Sequence, residues 1–242
     1  MAGTVLITGS SNGIGRETAK KFAKEGFNII INCRKDVESL DSLKRELTGY
    51  GVSVLSCVKD VGQFEQIKER FEDSEKNNMI PDIVINNAGV SYVGLLQDMT
   101  PDDWNNIIQT NLTSLFNTSH AAIPYMLKKG SGRIINISSM WGNTGASCEV
   151  AYSASKGGVN LFTKALAKEL APSHISVNAV AFGAVDTRMN GFLSTEEKQM
   201  LIDEIPAGRF LSPAEAADII YDIAMLNEYV TGQIITADGG MT

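Results

Sequence analysis

Apolar and polar positions fall in alternating blocks along this chain. Short apolar runs rich in β-branched residues recur between longer stretches of mixed polarity. Thr4-Val-Leu-Ile-Thr8 is the first such run and reads as a buried strand. Comparable runs fall at Phe27–Asn32, Val52–Cys57, Ile83–Ile85 after Pro81, Arg133–Ser138, Ile175–Val180 and Gln233–Ala237. Helical patterns separate them. One spans Arg16–Glu25 and is closed by Gly26; another starts at an Asp36 cap, runs to Leu47 and ends at Gly49 and Gly51. Others cover Gln63–Lys76 and Tyr152–Leu170. Thr100-Pro-Asp-Asp103 reads as a helix start, with a Thr cap, Pro in the first turn and acids near the positive end. That helix is expected to reach Lys129 with a kink at Pro124. Ser212-Pro-Ala-Glu215 opens the last helix, and Ala184–Gly208 reads as irregular and polar.

Strand and helix alternate throughout, and parallel strands need right-handed crossovers. The pattern therefore predicts an α/β fold, a doubly wound parallel sheet of about seven strands. With 242 residues and no repeat or linker, residues 1–242 read as a single domain.

Composition narrows the function classes. A net charge of −7 argues against nucleic-acid binding and leaves no basic tail for a membrane surface. No apolar run is long enough for a membrane span, and the first strand begins too early to leave room for a signal peptide. Cys33, Cys57 and Cys148 are odd in number and lack paired spacing, which makes the cytoplasm the expected location. His120 and His174 lack metal-ligand spacing, so no metal site is expected.

Chemistry is concentrated at two places. Thr8-Gly-Ser-Ser-Asn-Gly-Ile-Gly15 lies between the first strand and the first helix, the context of a dinucleotide phosphate turn. Glycines there allow close backbone approach, and the helix N-terminus favours a pyrophosphate. At the end of the second strand the chain reads Asn32-Cys33-Arg34-Lys35-Asp36. An acid there would take a free ribose 2′-hydroxyl, whereas an arginine accommodates a 2′-phosphate. Arg34, with its planar donor fork, favours NADP(H) over NAD(H). Asp36 is the competing signal, but as a helix cap it is expected to point elsewhere.

The second place runs from Ser138 to Lys156. It leaves an apolar strand with two hydroxyls, Ser138 and Ser139, and enters a helix carrying Tyr152 and Lys156 four residues apart on one face. A phenol, an ammonium and a hydroxyl at a strand end can orient and protonate a carbonyl oxygen. The pair by itself also fits an ordinary helix with a partly buried Tyr and a solvated Lys.

Taken together, these motifs resemble the short-chain dehydrogenase/reductase family over nearly the whole chain, which implies a Rossmann-type fold. The resemblance implies cofactor contacts from Gly9, Ser11, Asn12, Gly13, Ile14 and Gly15, from Asp60 and Val61, and from Asn87-Ala88-Gly89. It adds Val185 and Thr187, from the segment after the sixth strand, and Tyr152 and Lys156. The family usually has Pro-Gly where this chain has Phe182-Gly183. The implied catalytic set is Asn111, Ser139, Tyr152 and Lys156. The implied reaction is reversible hydride transfer between a nicotinamide and a carbonyl carbon. Tyr152 acts as proton donor, its pKa lowered by Lys156 and the oxidised nicotinamide. Lys156 also holds the nicotinamide ribose, Ser139 binds the substrate oxygen, and Asn111 holds a water that feeds protons to Lys156.

Within the family, Gly132-Arg-Ile-Ile-Asn-Ile-Ser-Ser139 and Asp238-Gly-Gly-Met241 most resemble the 3-oxoacyl-[acyl-carrier-protein] reductases of fatty acid synthesis. That branch docks its acidic carrier through basic residues near the active-site mouth, a cluster matched by Lys128 and Lys129. Dehydrogenases of alcohols, sugars or steroids and a non-catalytic nucleotide-sensing protein are the alternatives. Met140, Trp141, Cys148, Glu149 and Phe192 are candidate substrate neighbours. Surplus apolar residues on the helices holding Asn111 and Tyr152 point to an interface, and the resemblance implies a homotetramer, or failing that a dimer.

Overall fold

The computed structural model describes residues 3–191 and 193–242. Its strands are β1 (Thr4–Ile7), β2 (Asn28–Cys33), β3 (Val54–Val58), β4 (Ile83–Asn86), β5 (Gly132–Ser139), β6 (Ile175–Phe182) and β7 (Ile234–Ala237). All pair in parallel in one sheet, in the order β3-β2-β1-β4-β5-β6-β7. The order reverses beside β1, so a crevice opens between the carboxyl ends of β1 and β4, where such sheets bind ligands.

The helices are α1 (Gly13–Lys24), α2 (Val37–Thr48), α3 (Phe64–Lys76), α4 (Pro101–Ile108), α5 (Ser114–Lys129), α6 (Trp141–Thr144), α7 (Val150–Leu170), α8 (Thr195–Glu204) and α9 (Pro213–Ala224). They cover both faces of the sheet, because successive strand residues point to opposite sides. Val5 and Ile7 of β1 and Ile29 and Ile31 of β2 join one core with α1, α2 and α9. Leu6 and Ile30, between them, join the other core with α3, α5 and α7. Ile29, Ile30 and Ile31 are wholly buried, each contributing about 1.5–3 kcal/mol of apolar burial. That is why the strands read as continuous apolar runs.

Two local departures from the sequence expectation matter for the site. The long helix from Thr100 reaches Lys129 as expected, with Pro124 inside α5, but not as one continuous α-helix. Its irregularity falls at Gln109–Thr113, a π-helical turn that separates α4 from α5 and buries Asn111. Residues 184–208 are not wholly irregular either: α8 forms inside them. Ser194 caps it by accepting from Glu197 N–H at 3.1 Å, and the Glu197 carboxylate accepts from Ser194 N–H at 2.8 Å.

Candidate active site

The turn from β1 to α1 is built for contact with backbone. Gly9 and Gly13 hold left-handed φ values of +61° and +55°. A Cβ on Gly9 would sit 2.8 Å from Ala88 Cα, and one on Gly15 would sit 2.5 Å from Asn87 Nδ2. The Thr8 hydroxyl accepts from the N–H groups of Asn87 at 2.9 Å and Ala88 at 3.0 Å. The Asn87 amide donates in return to the carbonyls of Thr8 and Gly9, at 2.9 and 3.0 Å. The segments after β1 and β4 are thus stitched together, with the N-terminus of the 12-residue α1 facing the crevice.

That crevice is a cleft of about 640 Å³. It is lined by Gly9, Ser11, Asn12, Gly13, Ile14, Arg34, Asp60, Val61, Asn87, Ala88, Gly89, Val185 and Thr187 together with Ser139, Tyr152 and Lys156. A glycine-rich turn, a helix N-terminus and a cleft of this volume fit a dinucleotide. Gly15 and Asn111 stand behind the wall rather than in it.

At the end of β2, Asn32 is buried and ties the turns together, accepting from Gly9 N–H at 3.3 Å and donating to the carbonyls of Cys57 and Lys59. Arg34 is 43% exposed and faces Asp60 at 3.9 Å. Asp60 also accepts from Gly62 N–H at 2.9 Å, the role of a turn residue. Asp36 caps α2 through Ser39 N–H, as expected, but its carboxylate does not point away from the cleft. It accepts from Asn12 Nδ2 of the phosphate turn at 2.7 Å and faces Arg188 at 3.5 Å. These donors hold its pKa below the ordinary carboxylate range, the Asn12 amide first.

β5 delivers Ser139 to the cleft, where its hydroxyl accepts from Trp141 N–H at 3.2 Å. Ser138, pointing the other way, donates to Asn160 Oδ1 at 2.6 Å, and Asn160 donates to Asn143 at 2.8 Å. This chain fastens α6 to α7. A Cβ on Gly142 would lie 2.8 Å from the main-chain carbonyl group of Lys156, so α6 lies directly on the helix carrying Tyr152 and Lys156. The Lys156 ammonium is buried and donates to the Ile137 carbonyl at 2.8 Å.

Asn111 is fully buried, and its side-chain amide is spoken for. Its oxygen accepts from Val90 N–H at 2.8 Å; its nitrogen donates to Val90 O at 2.9 Å and to Ser155 Oγ at 3.1 Å. The amide positions the loop after β4 against α7 and leaves no side-chain donor for a water.

Burial sets the protonation of the pair. It pushes the Tyr152 phenol up to about 12, with Glu149 adding to the rise and the Ser139 hydroxyl opposing it. It pushes Lys156 down to about 8. In the protein alone burial governs the phenol, and the Lys156 ammonium donates to the Ile137 carbonyl; the implied lowering also calls on an oxidised nicotinamide.

The family model for short chain dehydrogenases matches residues 3–198. The chain belongs to the short-chain dehydrogenase family. It is an NAD(P)-dependent oxidoreductase acting on C=O and CH–OH groups. The 3-oxoacyl-[acyl-carrier-protein] reductase of Thermotoga maritima is 41% identical, over 98% of this chain and 96% of its own. That of Aquifex aeolicus is 39% identical, again over 98% and 96%. A gluconate 5-dehydrogenase from Burkholderia cenocepacia, solved with NADP and tartrate, superposes with a TM-score of 0.93 at 31% identity, covering 99% of this chain and 94% of that one. A putative gluconate dehydrogenase from Agrobacterium tumefaciens gives 0.94 at 33%, covering 99% and 95%.

This dehydrogenase departs from the sequence expectation at several residues. Met140, Trp141 and Glu149 line the cleft. Cys148 stands beside them without lining it, in left-handed backbone at φ +62°. Phe192 lies outside the described residues. Phe182, in the usual proline position, is the last residue of β6 and is buried, its carbonyl accepting from Met140 N–H at 2.9 Å. Lys128 and Lys129 do not lie at the mouth of their own cleft. They end α5 next to the start of β5, and Ser139 is at its other end, about 25 Å away at ~3.3 Å per residue. Lys129 is ion-paired there with Asp82, just before β4. Sequence reasoning passed over Arg188, Lys59 and Asn32, which line the cleft; Arg188 and Lys59, next to the matched Thr187 and Asp60, carried a usable signal.

Proposed function

We propose that this protein is an NADP-dependent reductase of 3-oxoacyl thioesters carried on an acyl carrier protein. The observation that carries the reading is the convergence of Ser139, Tyr152 and Lys156 in one cleft that Arg34 also lines. The full-length similarity to 3-oxoacyl-[acyl-carrier-protein] reductases supports the substrate class. Arg34, rather than an acid, at the end of β2 supports NADP, whose nicotinamide supplies the hydride.

Each residue has a task. Ser139 donates a hydrogen bond to the carbonyl oxygen being reduced. Tyr152 gives that oxygen its proton; burial keeps the phenol protonated beforehand, and a positive charge in the cleft eases the transfer by lowering its pKa. Lys156, its ammonium pinned by Ile137, holds a positive charge beside the phenol as the proton leaves. Gly9, Ser11, Asn12, Gly13 and Ile14 hold the pyrophosphate, and Gly15 lets the turn close. Asp60 and Val61 border the adenine, Asn87, Ala88 and Gly89 the adjoining ribose, and Val185 and Thr187 the nicotinamide. Asn111 is a positioning residue.

A second reading has a specific observation behind it. Glu149 brings a carboxyl group into the substrate end of the cleft, where burial raises its pKa, and it has no partner among the described residues. A hydroxyl-bearing substrate would satisfy it better than an acyl chain, and gluconate dehydrogenases share this fold. Steady oxidation of NADPH and NADH with 3-oxoacyl thioesters, simple ketones and keto-sugar acids separates the two. Turnover of the thioesters with NADPH is expected; turnover of keto-sugar acids alone would select the second reading.

Assembly follows from surface chemistry. Phe116 on α5 and Leu161 on α7 are 50% and 69% exposed, apolar surface that pairing these helices across an interface would cover. A homotetramer that pairs these helices is expected, and light scattering giving a mass near the 26.1 kDa of one chain would refute it. A cytoplasmic setting suits the free cysteines Cys33, Cys57 and Cys148.

A further inference from the structure

The segment after β6 passes over the phosphate turn. It is anchored on one side by a bridge between Val185 and Leu211, with Asp186 N–H donating to Leu211 O at 2.9 Å. On the other side the Thr187 methyl lies 3.4 Å from where a Cβ on Gly13 would be. Arg188 comes next. Its side chain is 72% exposed and reaches across the cleft rim to Asp36, 152 positions away in sequence.

Asp36 does not need this arginine. It already accepts from Asn12 Nδ2 at 2.7 Å and Ser39 N–H at 3.2 Å. The Arg188 contact, at 3.5 Å between exposed groups, contributes little to folding. The other charges nearby are engaged: Glu17 with Lys20 at 3.0 Å and Asp186 with Lys198 at 2.8 Å. The rim thus holds a guanidinium over the glycine turn, tethered loosely by a carboxylate that has better donors. A planar fork of this kind forms two charge-assisted bonds to a phosphate, more favourable than one long contact to Asp36.

We propose that Arg188 is a phosphate-binding residue for the dinucleotide, released from Asp36 when the cofactor enters. The proposal rests on the dinucleotide reading above. It gives the segment from Ala184 to Asn190 a direct hold on the cofactor. The shared chemistry is a phosphate group, either the pyrophosphate or a 2′-phosphate.

The test is direct binding, by fluorescence quenching and calorimetry, of NADPH, NADH, ADP-ribose and 2′,5′-ADP to wild type, Arg188→Gln, Asp36→Asn and the double variant. Asn still caps a helix, so Asp36→Asn keeps α2 intact. Arg188→Gln is expected to weaken NADPH by about tenfold or more, the worth of a charge-assisted contact, with the melting temperature unchanged. Equal losses for NADPH, NADH and ADP-ribose assign the pyrophosphate; losses confined to NADPH and 2′,5′-ADP assign the 2′-phosphate. Either result supports the proposal, provided the loss persists in the Asp36→Asn background. Unchanged binding in Arg188→Gln overturns it. So does a loss that vanishes once Asp36 is neutral, because Arg188 would then act only as a clasp on Asp36. Wild-type protein that binds neither dinucleotide removes the reading of the cleft as well, an outcome distinct from these.

Discussion

The Lys156 ammonium stands 5.5 Å from the centre of the Tyr152 ring, one helical turn along α7 and on the same face. It is near enough to favour a phenolate, but its hydrogen bond goes to the Ile137 carbonyl. Burial drives both groups toward their neutral forms, Tyr152 to about 12 and Lys156 to about 8. The pair is therefore poised by desolvation. A further positive charge in the cleft, such as an oxidised nicotinamide, is what would bring the phenol down.

Tyr152→Phe removes the hydroxyl and keeps the ring. Turnover is expected to fall at least ~10²-fold, the usual cost of a lost general acid, while NADPH still binds. Stopped-flow turnover alongside equilibrium binding checks this. Near-normal turnover in the variant would remove Tyr152 from the chemistry.

Lys156 leaves a mark on stability. Its folded pKa, about 8, lies below the free value of 10.5. Between those values the unfolded chain binds the extra proton, so this residue makes stability rise with pH from about 8 to about 10.5. Below that window the buried charge is a standing cost. Lys156→Met is expected to stabilise the protein near neutral pH and to flatten the rise. Urea unfolding at about pH 7 and about pH 9.5 reads both effects. An unchanged slope would mean that the lysine ionises as it does in water.

Most of the site could be read from the chain because it depends on local spacing. Gly9, Gly13 and Gly15 sit where a turn between strand and helix needs bare backbone, and Tyr152 and Lys156 share a face by helical period. The strands were legible because burial on both sheet faces leaves apolar runs. What was hidden depends on distant contacts. The engagement of Asn111 with Val90 and Ser155 rests on a π-turn with no pattern in sequence. Lys128 and Lys129 matched a docking cluster in sequence, yet the direction of β5 carries them to the other end of the sheet. α8 was overlooked although Ser194 and Glu197 spell a capping box.

Arg34 tests cofactor choice. Its guanidinium faces Asp60 only at 3.9 Å and is 43% exposed, so its present pairing contributes little. If it meets a 2′-phosphate, Arg34→Ala should weaken NADPH by roughly tenfold or more and leave NADH nearly unchanged. Calorimetric titration with each cofactor decides. Equal losses would make Arg34 a support for the β2 turn rather than a selector.

Arg70 shows a cost that the fold carries without evident benefit to the cleft. It lies on α3, wholly buried, with its guanidinium 4.3 Å from the Phe71 ring centre. Nη1 donates to Ser74 Oγ at 3.3 Å, while Nε and Nη2 have no partner among the described residues. Burial lowers its pKa to about 10, which still leaves it charged at neutral pH, and the nearby Cys57 thiol, itself pushed up to about 11 by burial, offers no counter-charge. Asp73 lies near enough to favour the charge but makes no direct ion pair with it, and apolar replacements of buried charged groups are often neutral or stabilising by about 1–4 kcal/mol. Arg70→Met keeps the long apolar stem and removes the unpaired donors. The variant is expected to be at least as stable as wild type in urea unfolding, with unchanged turnover because α3 does not line the cleft. A loss above about 1 kcal/mol would show that the guanidinium makes a stabilising contact after all, since the lost packing of a volume-conserving swap is smaller than that of a cavity.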